Sequence, residues 1–403
     1  MTERIVVTSA GILSALGNGL AANLDALRNA RSGLRHPRIL QTLHASEFVM
    51  GEVALENDGL SAQLGLPPGD NGYTRTTLLA MAALSELIGD AGIDLLRSAP
   101  LALINANTVG GMCSVENMYL DFIGPEQAGS FTQYIDTLDC AETTEKTAAW
   151  FGLRPFMATI STACSSSANA LILGARLIQQ GKVTRAICGG CDALSRFTLN
   201  GFHSLKNVEK TYCRPFDNDR FGLNLGEGAG YLLLEKESDA AARGADILGY
   251  FTGYCNSNDA YHPTAPSPDG AGAYRTMEGA LRKAQLQPSD IDYINAHGTA
   301  TLSNDAAEGK AIQELFSGKV PYFSSTKSFV GHTLAAAGAI EAIFSLLAIR
   351  EQMIFPNLNF RTRMEELSIS PVTEVMENVP VRHVMSYSFG FGGNNVSLVF
   401  SKS

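Results

Sequence analysis

A cysteine at the boundary between an apolar segment and an alanine-rich segment is the first residue whose position favours chemistry. In STACSSSANALILGARLIQQG (161–181), Cys164 lies where a predicted strand ends and a predicted helix begins. The positive end of a helix dipole and its unpaired N–H groups favour a thiolate. Cys164 is therefore a candidate nucleophile, with Ser165, Ser166 and Ser167 as helix caps. The alternative is a small buried side chain in a tight turn, the more common role of cysteine.

A histidine at the end of another predicted strand is the second candidate. His297 lies in IDYINAHGTATLSNDAAEGKAI (291–312) and is followed by glycine and hydroxyl residues. An imidazole at such a sheet edge is suited to general acid–base chemistry. Asn304 or Asp305 is expected to cap the next helix, which carries Glu308. The alternative is an imidazole whose hydrogen bonds are all made by neighbouring backbone.

A lysine and a second histidine share the segment STKSFVGHTLAAAGAIEAIFSLL (325–347). Lys327 and His332 lie five residues apart in a predicted loop that enters a helix with a face of small residues. Glu341 lies on that otherwise apolar helix, and a buried carboxylate there needs a partner such as Lys327. The alternative is a solvated Lys327 and a His332 that only begins the helix.

A glycine-rich segment, YSFGFGGNNVSLVF (387–400), precedes the last predicted strand. Its glycines at 390, 392 and 393 allow positive φ angles and a close approach of backbone to a ligand. Ser388 and Asn394 are expected to support this loop; the alternative is an ordinary turn between strands. GEGAG (226–230) resembles a phosphate-binding loop, but a strand follows it where a dinucleotide site needs a helix.

The elements that position these residues follow from alternating strand and helix patterns. Predicted strands are RIVVTSAGI, PLALINAN, RAICGG, AGYLLLE, IDYINA and HVMSYSFG. Predicted helices are TLLAMAALSELIGDAG, SANALILGARLIQQG, GAYRTMEGALRKAQL and TLAAAGAIEAIFSLLAIREQ. The alternation predicts an α/β protein with largely parallel sheets. Each half has a strand, a small-residue turn and a long helix, which suggests duplication with a seam near residue 240. The proline-rich segment 262–270 is expected to form an ordered surface loop or lid.

Composition excludes several classes of protein. With 45% hydrophobic and 17% charged residues, the 403-residue chain is too apolar to be disordered. The net charge of −10 argues against a nucleic-acid-binding protein. No apolar run is long enough for a membrane span, and the sequence shows no export signal, so a cytoplasmic protein is expected. The seven cysteines are expected to be free thiols. The single Cys188-Gly-Gly-Cys191 motif lacks the further ligands of a zinc site and is interpreted as a buried strand turning through two glycines.

Four of these motifs together resemble the β-ketoacyl synthases of the thiolase superfamily. TACSSS, NAHGTAT with SND, KSFVGHT and GFGGNN occur in the order of that family and at about its spacing. The resemblance implies a thiolase-like fold in which two similar α/β halves, 1–240 and 241–403, form a five-layered αβαβα sandwich. Such proteins are usually dimeric. The nucleophile would come from the first half and both histidines from the second.

The resemblance also implies a decarboxylating Claisen condensation. Cys164 would take an acyl group from an acyl-carrier-protein thioester, and the carbanion formed from malonyl-carrier protein would then attack it. His297 and His332 would stabilise the oxyanion of decarboxylation, while the N–H groups of Cys164 and Phe391 would form the oxyanion hole for acyl transfer. Lys327 would order the histidines. No metal or redox cofactor is implied, because the phosphopantetheine arm of the carrier protein carries the substrate.

Other roles implied by the resemblance concern substrate binding and support. Phe391 would gate the site, and the loop at 259–270 would move with it. The implied substrate-binding residues are Thr299, Thr301, Phe391, Gly392 and Asp259. The implied supporting residues are Glu341, Asp305 and Glu308. An acidic carrier protein needs a basic patch on this acidic chain, for which the candidates are Lys206, Lys210, Arg214 and Arg75; the alternative is a solvated face.

Two stretches depart from the elongation enzymes of fatty-acid synthesis. RPFDNDRFGLNLGEGAG carries Phe221 and Asn224 where those enzymes more often have other residues, and TACSSSANAL is closer to polyketide-type synthases. These stretches resemble ketosynthases of bacterial aryl-polyene clusters, so the dimer partner is either an identical chain or a relative that acts as a chain-length factor.

Other functions fit the sequence less well. A thiolase needs a second active cysteine near the C-terminus, and no cysteine follows Cys255. A starter-type synthase uses Cys-His-Asn, whereas His332 supplies a second histidine here, and a cysteine hydrolase has no need of GFGGNN. The competing function is a non-catalytic partner subunit, which would be expected to lack the nucleophile; Cys164 is present.

Overall fold

The computed structural model describes residues 3–124 and 129–402. Its strands are β1 (Ile5–Ser14), β2 (Gly17–Asn18), β3 (Leu101–Ala106), β4 (Phe156–Ile160), β5 (Arg185–Asp192), β6 (Gly228–Lys236), β7 (Gly249–Asn258), β8 (Tyr293–Asn295), β9 (Tyr322–Ser324), β10 (His383–Gly390) and β11 (Asn394–Ser401). Its α-helices are α1 (Leu20–Arg28), α2 (Asn57–Gln63), α3 (Arg75–Ala91), α4 (Ile93–Arg97), α5 (Met112–Ile123), α6 (Cys140–Trp150), α7 (Ser166–Gln179), α8 (Arg196–Ser204), α9 (Glu237–Ala242), α10 (Ala271–Ala284), α11 (Leu302–Leu315), α12 (Lys327–Val330) and α13 (Ala337–Glu351). Short 3₁₀ turns cover Gly129–Leu138, Pro288–Asp290, Leu334–Ala336 and Phe391–Gly393.

The strand order repeats between the two parts of the chain. The hydrogen-bonded order is β4-β3-β5-β6-β1-β7-β11-β10-β8-β9, with β2 paired to β1. When the strands are numbered separately on each side of the β1–β7 pair, both sets of five have the order 3-2-4-5-1. In both sets the first two pairings are parallel and the next two are antiparallel. The same arrangement of strands is therefore built twice.

The set β4-β3-β5-β6-β1 is named the first sheet and the set β7-β11-β10-β8-β9 the second sheet, and the β1–β7 pair joins them. Both sheets are mixed, so the expectation of largely parallel sheets is wrong. The short turn at Phe391–Gly393 joins β10 directly to β11, and a connection of that length requires an antiparallel pair. The parallel pairings are confined to the strands that are joined through helices, such as β3 with β4 and β8 with β9.

Two helices lie between the sheets and form the centre of the molecule. Helix α13 packs against α7 and against strands of both sets, β6 and β10. Its residues from Ala337 to Ile349 are buried, as expected for a helix that is apolar on every side. Gly338 permits the close approach of α7, because a Cβ there would lie 2.9 Å from the backbone nitrogen of Ala168. The largest apolar core surrounds this helix pair.

Further helices cover the outer faces of both sheets. Helix α3 packs on β1 and β6, and α10 packs on β7, β11 and α11. Separate apolar cores lie beneath these outer helices. The layers are thus α3, the first sheet, the α7–α13 pair, the second sheet, and α10 with α11. This confirms the five-layered αβαβα sandwich.

Several local expectations can be compared with the structure. Helix α9 lies between the two sets of strands, where the seam was expected, although the division at residue 240 stays a prediction. Cys188 and Cys191 both lie inside β5, so the strand continues through the two glycines and does not turn there. Residues 259–270 form a loop between β7 and α10. Across the described ranges, no helix has the length and apolar character that crossing a membrane requires.

Candidate active site

Cys164, His297 and His332 meet in the interior of the protein. One sulfur or nitrogen atom from each residue lies within 4.8 Å of the others. All three side chains are buried, and the two imidazole rings are 5.3 Å apart and nearly perpendicular. The turn after β4 supplies the thiol, the end of β8 supplies His297, and the loop between α12 and α13 supplies His332. The structure thus brings together three residues that lie up to 168 positions apart in the chain.

The turn that carries the thiol is held in an unfavourable backbone conformation. Ala163 has a φ of 53°, a region that residues with a side chain rarely adopt. The Thr162 N–H donates to Oγ of Ser166 at 2.8 Å, and the Ser165 hydroxyl donates to Oδ1 of Asn394 at 2.7 Å. These bonds fix the turn on both sides of Cys164. Helix α7 begins at Ser166, so the thiol precedes the helix by two residues.

The protonation state of Cys164 differs from the expected thiolate. Burial raises the pKa of the Cys164 thiol to about 11, although the charge of Lys327 and the backbone N–H groups of Phe391 and Cys164 act to lower it. The free-energy cost of removing the thiolate from water exceeds its stabilisation by the nearby charge and N–H groups. At neutral pH the resting residue is therefore a thiol, and it must lose its proton during the reaction.

His297 is held through its backbone and through one ring nitrogen. The N–H groups of His297 and Gly298 each donate to the Glu308 carboxylate at 2.8 Å. The Lys327 ammonium donates to Nδ1 of His297 at 3.1 Å, which assigns the ring proton to Nε2. Burial lowers the pKa of His297 well below its ordinary value, and the charges of Lys327 and His332 lower it further. His297 is therefore neutral and carries Nε2–H.

His332 has the same tautomer for a different reason. The backbone N–H of Leu334 donates to Nδ1 of His332 at 3.2 Å, which leaves Nε2 as the protonated nitrogen. The backbone N–H of His332 donates to the backbone carbonyl of Asn224 at 2.7 Å. Burial, followed by the charge of Lys327, lowers the pKa of His332 well below its ordinary value. Two neutral imidazoles with Nε2–H donors suit the stabilisation of a developing oxyanion.

Lys327 and Glu341 form a buried ion pair behind the histidines. Each side chain is 2% exposed, and the ammonium contacts both the Glu341 carboxylate and His297. Burial raises the pKa of Glu341 to about 7, while the ammonium of Lys327 opposes that shift. The partner expected for a carboxylate on this apolar helix is thus the one observed.

Two further carboxylates lie behind the loop that follows β8. Asp305 accepts hydrogen bonds from the N–H groups of Ala300, at 3.1 Å, and Phe216, at 2.7 Å. Burial and the charge of Asp305 raise the pKa of Glu308 to about 8. Thr301 occupies the N-cap position of α11, without a capping bond from its side chain, so the expectation that Asn304 or Asp305 caps this helix is wrong. The observed helix begins at Leu302, which is earlier in the chain than the positions of Asn304 and Asp305 predicted.

The glycine-rich loop lies against the proline-rich loop. Gly392 has a φ of 80°, and its N–H donates to the carbonyl of Pro263 at 2.7 Å. The Asp259 N–H donates to the carbonyl of Gly393 at 2.9 Å, and the Asp259 carboxylate accepts from Asn395 at 2.9 Å. The two loops that are expected to move together are therefore in direct contact.

Two cavities meet at Cys164 and Phe391. The smaller, of about 50 Å³, is lined by both histidines, Thr299, Thr301 and Asp259. The larger, of about 400 Å³, is almost entirely apolar and is lined by residues that include Val109, Phe197, Phe202, Leu205 and Leu334. The ring of Phe391 stacks on that of Phe202 with centroids 5.5 Å apart. The thiol thus borders a cavity that contains both histidines and a second cavity that is almost entirely apolar.

The proposed carrier contacts do not all lie on the surface. Arg75 is buried and binds Glu227 at 2.5 Å, so its prediction as a carrier contact is wrong. A buried arginine with a carboxylate partner has no charge to offer a docking protein. Lys206 and Lys210 are exposed, with Lys210 paired to Glu47 at 3.0 Å. Arg214 is half-buried.

Asn224 has a larger part in the site than the sequence indicated. Its side-chain amide donates to the carbonyls of Val49, Glu209 and Thr211 and accepts from the Cys213 N–H. The backbone carbonyl of Asn224 accepts a hydrogen bond from the backbone N–H of His332. The departure from the usual pattern at this position was the only signal in the sequence, and it did not indicate this network.

Comparison with known proteins agrees with this geometry. Residues 2–240 match the N-terminal domain of the β-ketoacyl synthases, and residues 248–361 match their C-terminal domain. The chain belongs to the β-ketoacyl synthase family. The 3-oxoacyl-[acyl-carrier-protein] synthase 2 of Staphylococcus aureus (strain COL) is 32% identical, with 99% of this chain and 98% of that protein covered.

Solved structures of similar ketosynthases extend the comparison. The ishigamide ketosynthase/chain length factor has a TM-score of 0.91 and 31% identity, with both chains covered completely. AntDE:AntF, described as a type II polyketide synthase acyl-carrier protein in complex with its ketosynthase, has a TM-score of 0.87 and 25% identity, again with complete coverage. The β-ketoacyl synthase fold therefore spans the whole chain.

Proposed function

We propose that this β-ketoacyl synthase is an elongating ketosynthase, which condenses an acyl group on Cys164 with malonyl-acyl-carrier protein. The observation that carries the proposal is the meeting of one thiol and two neutral imidazoles where the cavity lined by the histidines joins an almost entirely apolar one. The family and the names of its relatives support the same reaction.

The first half-reaction transfers the acyl group to the enzyme. Cys164 attacks the carbonyl carbon of the acyl-carrier-protein thioester, and the N–H groups of Cys164 and Phe391 stabilise the resulting oxyanion. The carrier thiol leaves and takes up the proton that the Cys164 thiol gives up. The acyl chain would extend into the apolar cavity, whose lining offers almost no polar surface.

The second half-reaction uses the histidines. The malonyl group of malonyl-carrier protein enters the cavity lined by the histidines, and the bond to its carboxyl carbon breaks to release carbon dioxide. The Nε2–H groups of His297 and His332 stabilise the negative charge on the thioester oxygen. The enolate carbon then attacks the acyl-cysteine, and the thiolate of Cys164 leaves and is reprotonated. The product is the 3-oxoacyl-carrier protein, longer by two carbons.

An acyl-carrier protein and a second ketosynthase-like chain are the proposed partners. Strand β4 lies at the end of the sheet order, and its Phe156 and Met157 are 54% and 44% exposed. An apolar edge strand of this kind favours pairing with another strand. Whether that chain is identical or a chain-length-factor relative stays a prediction. The aryl-polyene pathway, the cytoplasmic location and the carrier contacts Lys206, Lys210 and Arg214 also remain predictions.

A non-catalytic partner subunit is the alternative function. One similar solved structure pairs a ketosynthase with a chain length factor, so relatives of this fold can occupy either position. Cys164, His297 and His332 are all present and close together here, which favours the catalytic position.

Mass spectrometry of intact protein tests the proposed function. The enzyme is incubated with acyl-carrier proteins bearing aliphatic or aromatic acyl groups, and malonyl-carrier protein is then added. We expect one acyl adduct on Cys164 and then a carrier-bound product longer by two carbons. The Cys164→Ala variant should show neither. Chain elongation by that variant, or the absence of any adduct on wild-type protein, would overturn the proposal.

A further inference from the structure

Asp192 is a buried carboxylate that none of the steps above uses. It is the last residue of β5 and has no exposed surface. Its Oδ1 accepts from the N–H groups of Thr108, at 3.0 Å, and Val109, at 3.2 Å. Its Oδ2 accepts from the Thr108 hydroxyl, at 2.5 Å, and the Ala335 N–H, at 2.8 Å. In the part of the chain that the structure describes, no lysine, arginine or histidine pairs with it.

The four donors come from two segments with different positions in the site. Thr108 and Val109 form one wall of the apolar cavity. Ala335 follows Leu334, whose side chain lines the same cavity and whose backbone N–H donates to Nδ1 of His332. Oδ1 of Asp192 therefore bonds only the cavity wall, whereas Oδ2 bonds both the wall, through the Thr108 hydroxyl, and the segment that orients His332.

The segment that Asp192 binds, at Leu334 and Ala335, contains a residue with a strained backbone conformation. Leu334 has a φ of 53°, an unfavourable conformation for a leucine, which persists only when its surroundings enforce it. The bond from the next N–H, that of Ala335, fixes the peptide immediately after this strained residue. A loss of that bond would release the Leu334 N–H from its place beside the imidazole.

We propose that Asp192 is a positioning residue that joins the wall of the apolar cavity to the loop that orients His332. This inference rests on the proposed ketosynthase function. Asp192 acts through Leu334, whose N–H keeps Nδ1 of His332 as an acceptor and Nε2 as a donor. Four donors around one group suit a carboxylate, which only accepts hydrogen bonds.

Asp192→Asn alters the two hydrogen bonds of Oδ2. The Thr108 hydroxyl can turn and accept from the new amide group, whereas the Ala335 N–H can only donate. The amide oxygen can still accept from Thr108 and Val109, but the amide nitrogen now faces the Ala335 N–H, and two donors cannot bond each other. We expect malonyl-carrier protein decarboxylation to fall about tenfold or more, as for the loss of a hydrogen bond to a charged group. Self-acylation, which does not use His332, should change by no more than about twofold.

The comparison of the two half-reactions separates positioning from general destabilisation. The matched control is Glu235→Gln, which alters a buried carboxylate at the opposite end of the paired strands β5 and β6, where it binds Arg185 and Arg243. That variant should keep the wild-type ratio of the two rates. If Asp192→Asn fails to fold, Asp192→Glu keeps the charge but displaces it, and the same selective loss is expected. Equal losses in both half-reactions, or no loss, would overturn the inference.

A measurement on the free protein distinguishes this inference from the proposed function. The ¹⁵N shifts of the His332 ring report its tautomer without any substrate. Wild-type protein should show the Nε2–H form, and Asp192→Asn a mixture of tautomers. An unchanged tautomer in the variant would refute the role of Asp192 even in an active enzyme. A wild-type enzyme that performs neither half-reaction would refute the proposed function, while the shifts still test Asp192.

Discussion

Replacement of Lys327 allows the effect of this residue on the free energy of unfolding to be measured separately from its effect on decarboxylation. The ammonium donates to His297 at 3.1 Å and pairs with Glu341, and both members of the pair are 2% exposed. Lys327→Met leaves the Glu341 carboxylate buried without a cation. Removal of one partner from a buried pair costs about 3–5 kcal/mol. That is a large part of the roughly 5–15 kcal/mol by which folded proteins are stable.

A double variant distinguishes the two roles of this lysine. Lys327→Met combined with Glu341→Leu removes both charges, and apolar replacement of a buried pair is often neutral or stabilising. We expect its free energy of unfolding to return to within about 2 kcal/mol of the wild-type value. Decarboxylation should remain about tenfold or more below wild type, because Nδ1 of His297 has lost its donor and the ring is free to change tautomer.

Urea unfolding and carbon dioxide release from malonyl-carrier protein measure these two effects. The control is Lys236→Met, which removes an accessible lysine at the end of β6 that pairs only with Glu3 among the described residues. It should leave both quantities near their wild-type values. A double variant that regains full decarboxylation together with stability would show that Lys327 only balances Glu341, and the reasoning about His297 would be wrong.

Four further predictions concern the reacting groups. Cys164→Gln should abolish condensation but retain measurable malonyl decarboxylation, because both histidines remain; a variant inactive in both assays would contradict this separation. His297→Ala and His332→Ala should reduce carbon dioxide release far more than self-acylation, and equal losses would argue against the assigned roles. Phe391→Ala should alter the kinetics of malonyl entry, so unchanged elongation rates would exclude a gate. Because the pKa of the Cys164 thiol is raised to about 11, alkylation of Cys164 by iodoacetamide should keep rising about tenfold per pH unit between pH 8 and 10; a plateau below pH 8 would show a stable thiolate.

The sequence indicated the proposed reacting groups because their signals are local. Cys164 and His297 each follow a predicted strand, and His332 lies in a predicted loop that enters a helix; these patterns are visible in short stretches of sequence. Many of the strands and helices were predictable from the same alternation, although β7 and β9 were missed. The layered fold was predictable only through the resemblance of four motifs to a known family.

Several of the errors concern properties that depend on distant parts of the chain. The burial of Arg75 follows from its contact with Glu227, 152 residues away, which no local pattern reveals. The thiol state of Cys164 follows from desolvation between two sheets, whereas the sequence shows only the nearby helix start. The hydrogen bonds of Asp192 and Asn224 likewise join segments that only the folded chain brings together.

The repeated strand order has a consequence for how the reaction centre is divided. Cys164 follows the third strand of its set and precedes the central helix α7, while His332 follows the third strand of the other set and precedes α13. Cys164 and His332 thus lie in corresponding segments of the two repeats, between the third strand and the central helix, and their side chains lie close together. Neither repeat alone carries the thiol together with the two imidazoles, so the proposed reaction requires residues from both.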